Sequence, residues 1–326
     1  MKLRRSLAAV LSAGTLLAAS ACAGDELDDT ASDDASSSSS PSESTGSEPA
    51  AGGGPVTIAS QNFPEAALVA SMYEQLLADA GYEPTVNLVD ARDAYLGTFP
   101  GDVDVVPEYV GGIVNALNAR ENGDDAEPFE TGDGEELKAD GADLLEAAGI
   151  TLLDVSPATD TNAFFVTQDY AEENDVDELS DLEGESVVLA AAPDCEGRLD
   201  CEGGLVDEYG IDVTEVLPLG YASDQTYQSV LDGESELGET STTDGTLESL
   251  GLVVLEDDQE IQPAQNLVPA VSDEFLDANP GVADVLNPLM AALTTEKLTE
   301  LNGRISVDRE QTEDVALDFL QSEGLL

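Results

Sequence analysis

The sequence contains no histidine, and 70 acidic against 10 basic residues leave a formal net charge of −60. Without histidine there is no Ser-His-Asp or Cys-His relay, no H-E-x-x-H zinc site and no imidazole acid or base. Carboxylate-only chemistry remains open, yet among so many acids paired carboxylates arise everywhere by chance, so their spacing carries little information. A nucleic-acid partner is excluded, because ten basic residues, three of them Lys2, Arg4 and Arg5, cannot build a face that displaces counterions from phosphates. Three cysteines are the remaining distinctive groups. Cys195 and Cys201 stand six positions apart in APDCEGRLDCEGG; with no further pair of thiols and no histidine they make a poor zinc site, and a small structural disulfide is expected.

The third, Cys22, closes the segment MKLRRSLAAVLSAGTLLAASAC, in which basic residues precede an apolar stretch too short to span a bilayer. Residues 1–22 therefore read as a signal peptide. Ala19-Ser20-Ala21 suits ordinary A-x-A cleavage, and the same residues before Cys22 resemble a lipobox with Ala19 where leucine is usual. Lipidation of Cys22, which would anchor the protein outside the cell membrane, is the favoured of these two routes. Residues 23–54, with SSSSSPSES and AAGGGP, hold hardly any large apolar side chain and read as a flexible stalk. The charge itself points to a saline habitat, since molar salt shortens the Debye length to about 3 Å and screens self-repulsion; a merely acidic exported protein is the alternative.

The 41% hydrophobic share of the whole chain supports a sizeable core, which falls to the residues from 55 onward. VTIAS and TVNLVD read as strands, GDVDVVPEY as a strand, and the run after Asn62 has Leu68, Met72, Leu76 and Leu77 at helical spacing. Residues 135–148 read as one helix, and 273–293, 294–302 and 309–322 as three more. Strand and helix alternate, which predicts an α/β fold with mostly parallel, helix-covered sheets and a ligand beyond the strand ends, where Asn62 and Tyr109 lie. The middle segment, with NAFFVTQDY and ESVVLAAAP, looks like a second α/β unit. The expected division is 55–158 with 256–326 as one lobe and 159–255 as the other, joined by two crossings around a cleft.

The order of motifs resembles the osmoprotectant-binding (glycine betaine, carnitine, choline) substrate-binding proteins of ABC transporters. VTIASQNFPE, GDVDVVPEYVG, DTNAFFVT, the C-x5-C loop, TTDG, VVLEDD, PAQNLVPAV and LTTEKLTELN each have counterparts there, over nearly all of residues 56–326. The resemblance implies a two-lobed periplasmic-binding-protein fold of the second type, a small osmolyte as ligand, no cofactor and no catalysis. It also implies a permease and an ATPase on separate chains as partners. A quaternary ammonium ion donates no N–H and is held by aromatic faces. Of the family's cage tyrosines, Tyr109 and Tyr227 match, whereas Asn162 and Ser241 stand where two others would be. Asn62, Thr242 and Asp244 complete the expected ligand set, Asp244 as partner of a cationic head; Gln61, Thr243 and Gln265-Asn266 lie nearby in the expected cleft, and Arg198 or Arg92 is a candidate for a ligand carboxylate. A carboxylate-based extracellular hydrolase and an adhesin without a small ligand are the rival readings, and no nucleophile elbow, metal motif or phosphate loop supports the first.

Overall fold

The computed structural model describes residues 53–123, 126–129 and 131–326; the signal, Cys22 and nearly all of the expected stalk lie outside the described residues. Ten strands are described: β1 Gly54–Gln61, β2 Tyr82–Val89, β3 Val105–Tyr109, β4 Ile150–Leu152, β5 Asn162–Thr167, β6 Ser186–Ala191, β7 Asp212–Pro218, β8 Leu237–Ser241, β9 Leu252–Leu255 and β10 Leu267–Ser272. They form two five-stranded sheets, ordered β2-β1-β3-β10-β4 and β7-β6-β8-β5-β9. In each, the first three strands run parallel and the last two pairings are antiparallel. The alternation of strand and helix predicts a more parallel arrangement than this. A parallel neighbour needs a crossover back to the starting edge, whereas β5 and β10 each enter directly from a segment arriving from the other sheet, which leaves their direction free.

Parallel strands covered on both faces should read as continuous apolar runs, and β3, VVPEY, is buried throughout. On one face of the first sheet the helix Pro64–Asp79 packs Leu68, Met72, Tyr73 and Leu77 against Leu286, Leu289 and Met290 of the helix Val282–Ala292 and Phe319 and Leu320 of the helix Thr312–Ser322. On the other, Val106 and Val268 meet Ile113, Val114 and Leu137. The second sheet has a smaller core, with Phe164, Leu189, Leu205 and Tyr209 around the buried Cys195 and Cys201. Those two sulfurs are joined, with the Cα atoms 5.3 Å apart.

Two local expectations change, and one strand was not expected. The helix expected over 273–293 is two, Asp273–Ala278 and Val282–Ala292, because Pro280 has no N–H to continue the first. That over 135–148 breaks at Gly141 into Gly134–Asp140 and Ala142–Ala148. β7 escaped the pattern because, at the edge of its sheet, most of its residues are exposed or half-buried and its apolar residues do not alternate cleanly. No helix of the described residues is long and apolar enough to cross a membrane.

Candidate functional site

The chain passes from the first sheet to the second along 153–161 and returns along 256–266. These two crossings are tied side by side: Thr159 bridges Asn266, the Asp160 N–H donates to the Gln265 carbonyl at 3.1 Å, and Leu267 N–H donates to Ala158 at 3.0 Å. A cavity of about 180 Å³ opens where they meet the second sheet, lined by Asp160, Asn162, Arg198, Asp200, Tyr221 and Gln262 together with Thr161, Pro263 and Gln265. A larger groove of about 970 Å³ runs between Thr242–Val254 and the helix Thr295–Ser306, but no aromatic ring lines it.

Of the cavity's two acids, Asp160 and Asp200, Asp160 is the one without an ion pair among the described residues. Ser241 Oγ donates to its Oδ1, and no lysine or arginine forms an ion pair with it among the described residues. Burial raises its pKa and the charge of Asp244 adds to this, against the hydrogen bonds of Ser241 and Thr243. Tyr221 is the cavity's ring, 43% exposed as a residue. Desolvation of its hydroxyl, then Asp160, push its pKa up, while a Ser241 bond opposes them. It is presented by a turn in which Ala222 takes φ 44°, a left-handed conformation that costs a non-glycine residue about 1 kcal/mol or more. Ala222 N–H donates to Glu239 at 3.3 Å and Ser223 caps the following helix through Thr226 N at 3.1 Å, so neighbouring bonds hold that conformation. Arg198 gives the cavity a cation, but Asp200 takes its Nε at 2.9 Å and Nη2 at 2.6 Å, and Asp194 lies 3.4 Å from Nη1.

Of the sequence-derived residues, Asn162 lines the cavity, its Nδ2 donating to Asp200 Oδ2 at 3.0 Å. Ser241 stands behind Asp160, which it bonds. Thr242 ties the second lobe's turn to the first crossing: its Oγ1 accepts from Thr161 N at 3.1 Å and donates to Thr159 O at 3.0 Å. Asn62 is exposed in the turn after β1, its N–H bonded to Val89 O at 2.7 Å. Tyr109 is only 6% exposed; its ring stacks on Phe63 with centroids 6.4 Å apart, and its hydroxyl donates to Glu65 Oε1 at 2.6 Å. Tyr227 packs on Phe165 and donates to Asp244 Oδ2 at 2.6 Å. Asp244 also accepts from Thr240 Oγ1 at 2.5 Å and from Thr246 N and Oγ1 at 2.9 and 2.6 Å, so its oxygens already hold four bonds. Arg92 does not reach the cavity, since Glu108 takes it at 2.8 and 3.1 Å.

Sequence reasoning missed Asp160, Asp200, Tyr221 and Gln262. Asp160 opens the DTNAFFVT motif and could have been found there; a lone tyrosine in a Gly-Tyr-Ala-Ser turn and an aspartate inside a cysteine loop carry no distinguishing pattern. Glu65 was also missed. Only 3% exposed, it accepts from Tyr109 and from Asn302 Nδ2 at 2.7 Å, and burial followed by the charge of Asp160 pushes its pKa up to about 7, against its hydrogen bonds.

Residues 54–322 match the family model described as the substrate binding domain of the ABC-type glycine betaine transport system. The glycine betaine-binding protein YehZ of Escherichia coli strain K12 is 30% identical over 294 residues, 85% of this chain and 93% of that protein. A glycine-betaine-binding protein of Pseudomonas aeruginosa strain PAO1 is 26% identical over 281 residues, 82% of this chain and 88% of that one. The solved structure of apo YehZ from Escherichia coli superposes with a TM-score of 0.69 at 25% identity, covering 83% of this chain and 99% of that one. Two sheets joined by paired crossings, a polar cavity at the junction and a family match over almost the whole described chain agree: the protein belongs to the substrate-binding domain family of ABC-type glycine betaine transport systems, whose members are non-enzymatic components of importers.

Proposed function

We propose that the protein is the extracytoplasmic receptor of an ABC importer and captures a methylated ammonium osmolyte, choline or glycine betaine, between lobes 55–158 with 256–326 and 159–255. It then delivers the solute to a permease and an ATPase on separate chains. The observation that carries this reading is the cavity in which Asp160, a carboxylate without a base, faces the same space as the Tyr221 ring. A cationic guest balances the carboxylate, and the ring adds a cation–π contact of roughly 0.5–2 kcal/mol. Two relatives named as glycine betaine-binding proteins support the same class. Ser241 aims Asp160, Asn162 lines the wall, and Tyr109, Tyr227, Thr242 and Asp244 hold the surrounding elements in place. Closure is a hinge motion about the paired crossings, favoured by whatever contacts the solute makes with both lobes at once.

In the same reading Cys22 carries a lipid, the stalk holds the body off the membrane, and the −60 charge suits a halophile. The test is calorimetric titration of the protein at high salt with choline, glycine betaine, carnitine and proline. Heat with a methylated ammonium compound, lost in Asp160→Asn and reduced in Tyr221→Ala, is the expected result. Silence with all four would sink the osmolyte assignment. A more polar solute is the second reading, favoured by Asn162 and Ser241 standing where the family resemblance implies tyrosine.

A further inference from the structure

We propose that Asp200 is the positioning residue of the solute cavity and that the Cys195–Cys201 bridge holds it in place; this rests on the cavity being the solute site. Asp200 gathers three separate parts of the chain. Its carboxylate takes Arg198 through both Nε and Nη2, and Asn162 Nδ2 from the start of β5, where the first crossing ends. Its main-chain carbonyl takes Gln262 Nε2 at 2.9 Å from the second crossing. Gln262 is 7% exposed and its Oε1 has no hydrogen-bond donor among the described residues, so the bond to Asp200 is what orients that amide. Arg198 and Asp200 also form one wall of a second space, a groove of about 500 Å³ that reaches Asn115 and Phe129 on the first lobe. The loop is thus the partition between the solute cavity and the gap between lobes.

The partition has little freedom of its own. Arg198 N–H donates to the Cys195 carbonyl and Cys201 N–H to the Arg198 carbonyl, both at 3.1 Å, and the bridge closes the ring. The helix Glu202–Asp207 then passes so close that a Cβ on Gly204 would come within 2.1 Å of the Leu199 carbonyl oxygen, and one on Gly203 within 2.8 Å of that of Arg198. Both cysteines are fully buried, so the anchor lies in the core while Arg198 and Asp200 stand at the cavity. Without the carboxylate, Arg198 and Asn162 lose their common partner; without the bridge, the main-chain carbonyl that orients Gln262 is no longer held in place. A bound solute then loses a wall built on both crossings, which shortens its residence more than it slows its entry.

The experiment compares the intact protein with Asp200→Ala, Asp200→Glu and the Cys195→Ser/Cys201→Ser pair, by titration with choline and glycine betaine and by amide hydrogen exchange. The expected result is a tenfold or greater loss of affinity in Asp200→Ala and in the bridgeless protein, partial recovery in Asp200→Glu, and, in the bridgeless protein, faster exchange across 259–266 as well as in the loop. Lower melting temperatures with unchanged affinity, or exchange that quickens only within 195–204, would overturn the proposal and leave the bridge a local staple. The exchange arm needs no solute. If the unaltered protein binds neither probe, the osmolyte reading falls, while quickened exchange across 259–266 still supports the tie through Asp200 and unchanged exchange still overturns it.

Discussion

The central strands of the two sheets each bury a glutamate, and the two are treated differently. Glu108 in β3 and Glu239 in β8 are both 0% exposed and both stand third in sheet order. Glu108 is neutralised: Arg92 approaches it twice, the Tyr95 hydroxyl bonds it, and the Tyr109 N–H donates at 3.0 Å. Glu239 receives the Ala192 N–H at 2.7 Å and no guanidinium, because Arg198, the nearest candidate, is bonded to Asp200 instead. Burial raises the Glu239 pKa, with the Ala192 bond and the field of Arg198 only partly opposing it. In a chain with ten basic residues, one arginine serves the core of the first lobe, and its counterpart in the second serves the cavity wall. The second lobe, with the smaller core, has a covalent bridge beside the same glutamate.

The comparison breaks most visibly at Arg92. Arg92→Met should cost about 3–5 kcal/mol, since it strands Glu108 as a buried unpaired carboxylate; a urea titration showing less than about 1 kcal/mol would mean the pair is not what neutralises that strand. A third buried acid, Glu65, has neither base nor bridge among the described residues and sharpens the point. Its pKa near 7 lies above the ordinary 4.5, so the folded protein retains a proton that the unfolded chain releases. Stability should therefore be fully present below about pH 4.5 and decline as pH rises through about 7, by roughly 3 kcal/mol from this group. Melting curves across that window should slope down, and Glu65→Gln should flatten them.

Loss of the bridge comes next. In the chain-entropy view a loop this short contributes about 2 kcal/mol, so Cys195→Ser/Cys201→Ser should unfold at lower denaturant with the slope of the transition unchanged. Smallest is Glu239→Gln, expected within about 1 kcal/mol of the unaltered protein at neutral pH, because an isosteric amide gives up a costly buried charge and can keep the Ala192 bond. A large loss there would show that the second sheet depends on the charge of Glu239.

Much of the first lobe is readable along the chain. The helix Pro64–Asp79 announces itself through Leu68, Met72, Leu76 and Leu77, because it is buried on the face its periodicity marks, and β3 through the alternation of GDVDVVPEY that leads into it, although Glu108 interrupts its apolar residues. The edge strand β7 is not readable, being half in water, nor are the breaks at Gly141 and Pro280, where a single residue outweighs a long pattern. At the site, Asn162, Arg198 and Gln265 are the expected residues that line the cavity, Arg198 with its guanidinium taken by Asp200. Tyr109 and Tyr227 are the right residue type in the expected segments, yet their hydroxyls are taken by Glu65 and Asp244, bonds that no sequence spacing foretells.

The sequence by itself determined the alternation of strands and helices, the absence of imidazole chemistry, the excess of acid over base and the order of motifs that marks the family. These are properties of composition and periodicity, which folding does not alter. Tertiary structure decided the direction of β5 and β10, the meeting of Asp160, Tyr221 and Asp200 at one cavity, and which of many carboxylates receives a scarce arginine. An aspartate's energy depends on burial and on the few groups within about 4 Å, and in this chain those groups come from segments tens of residues apart.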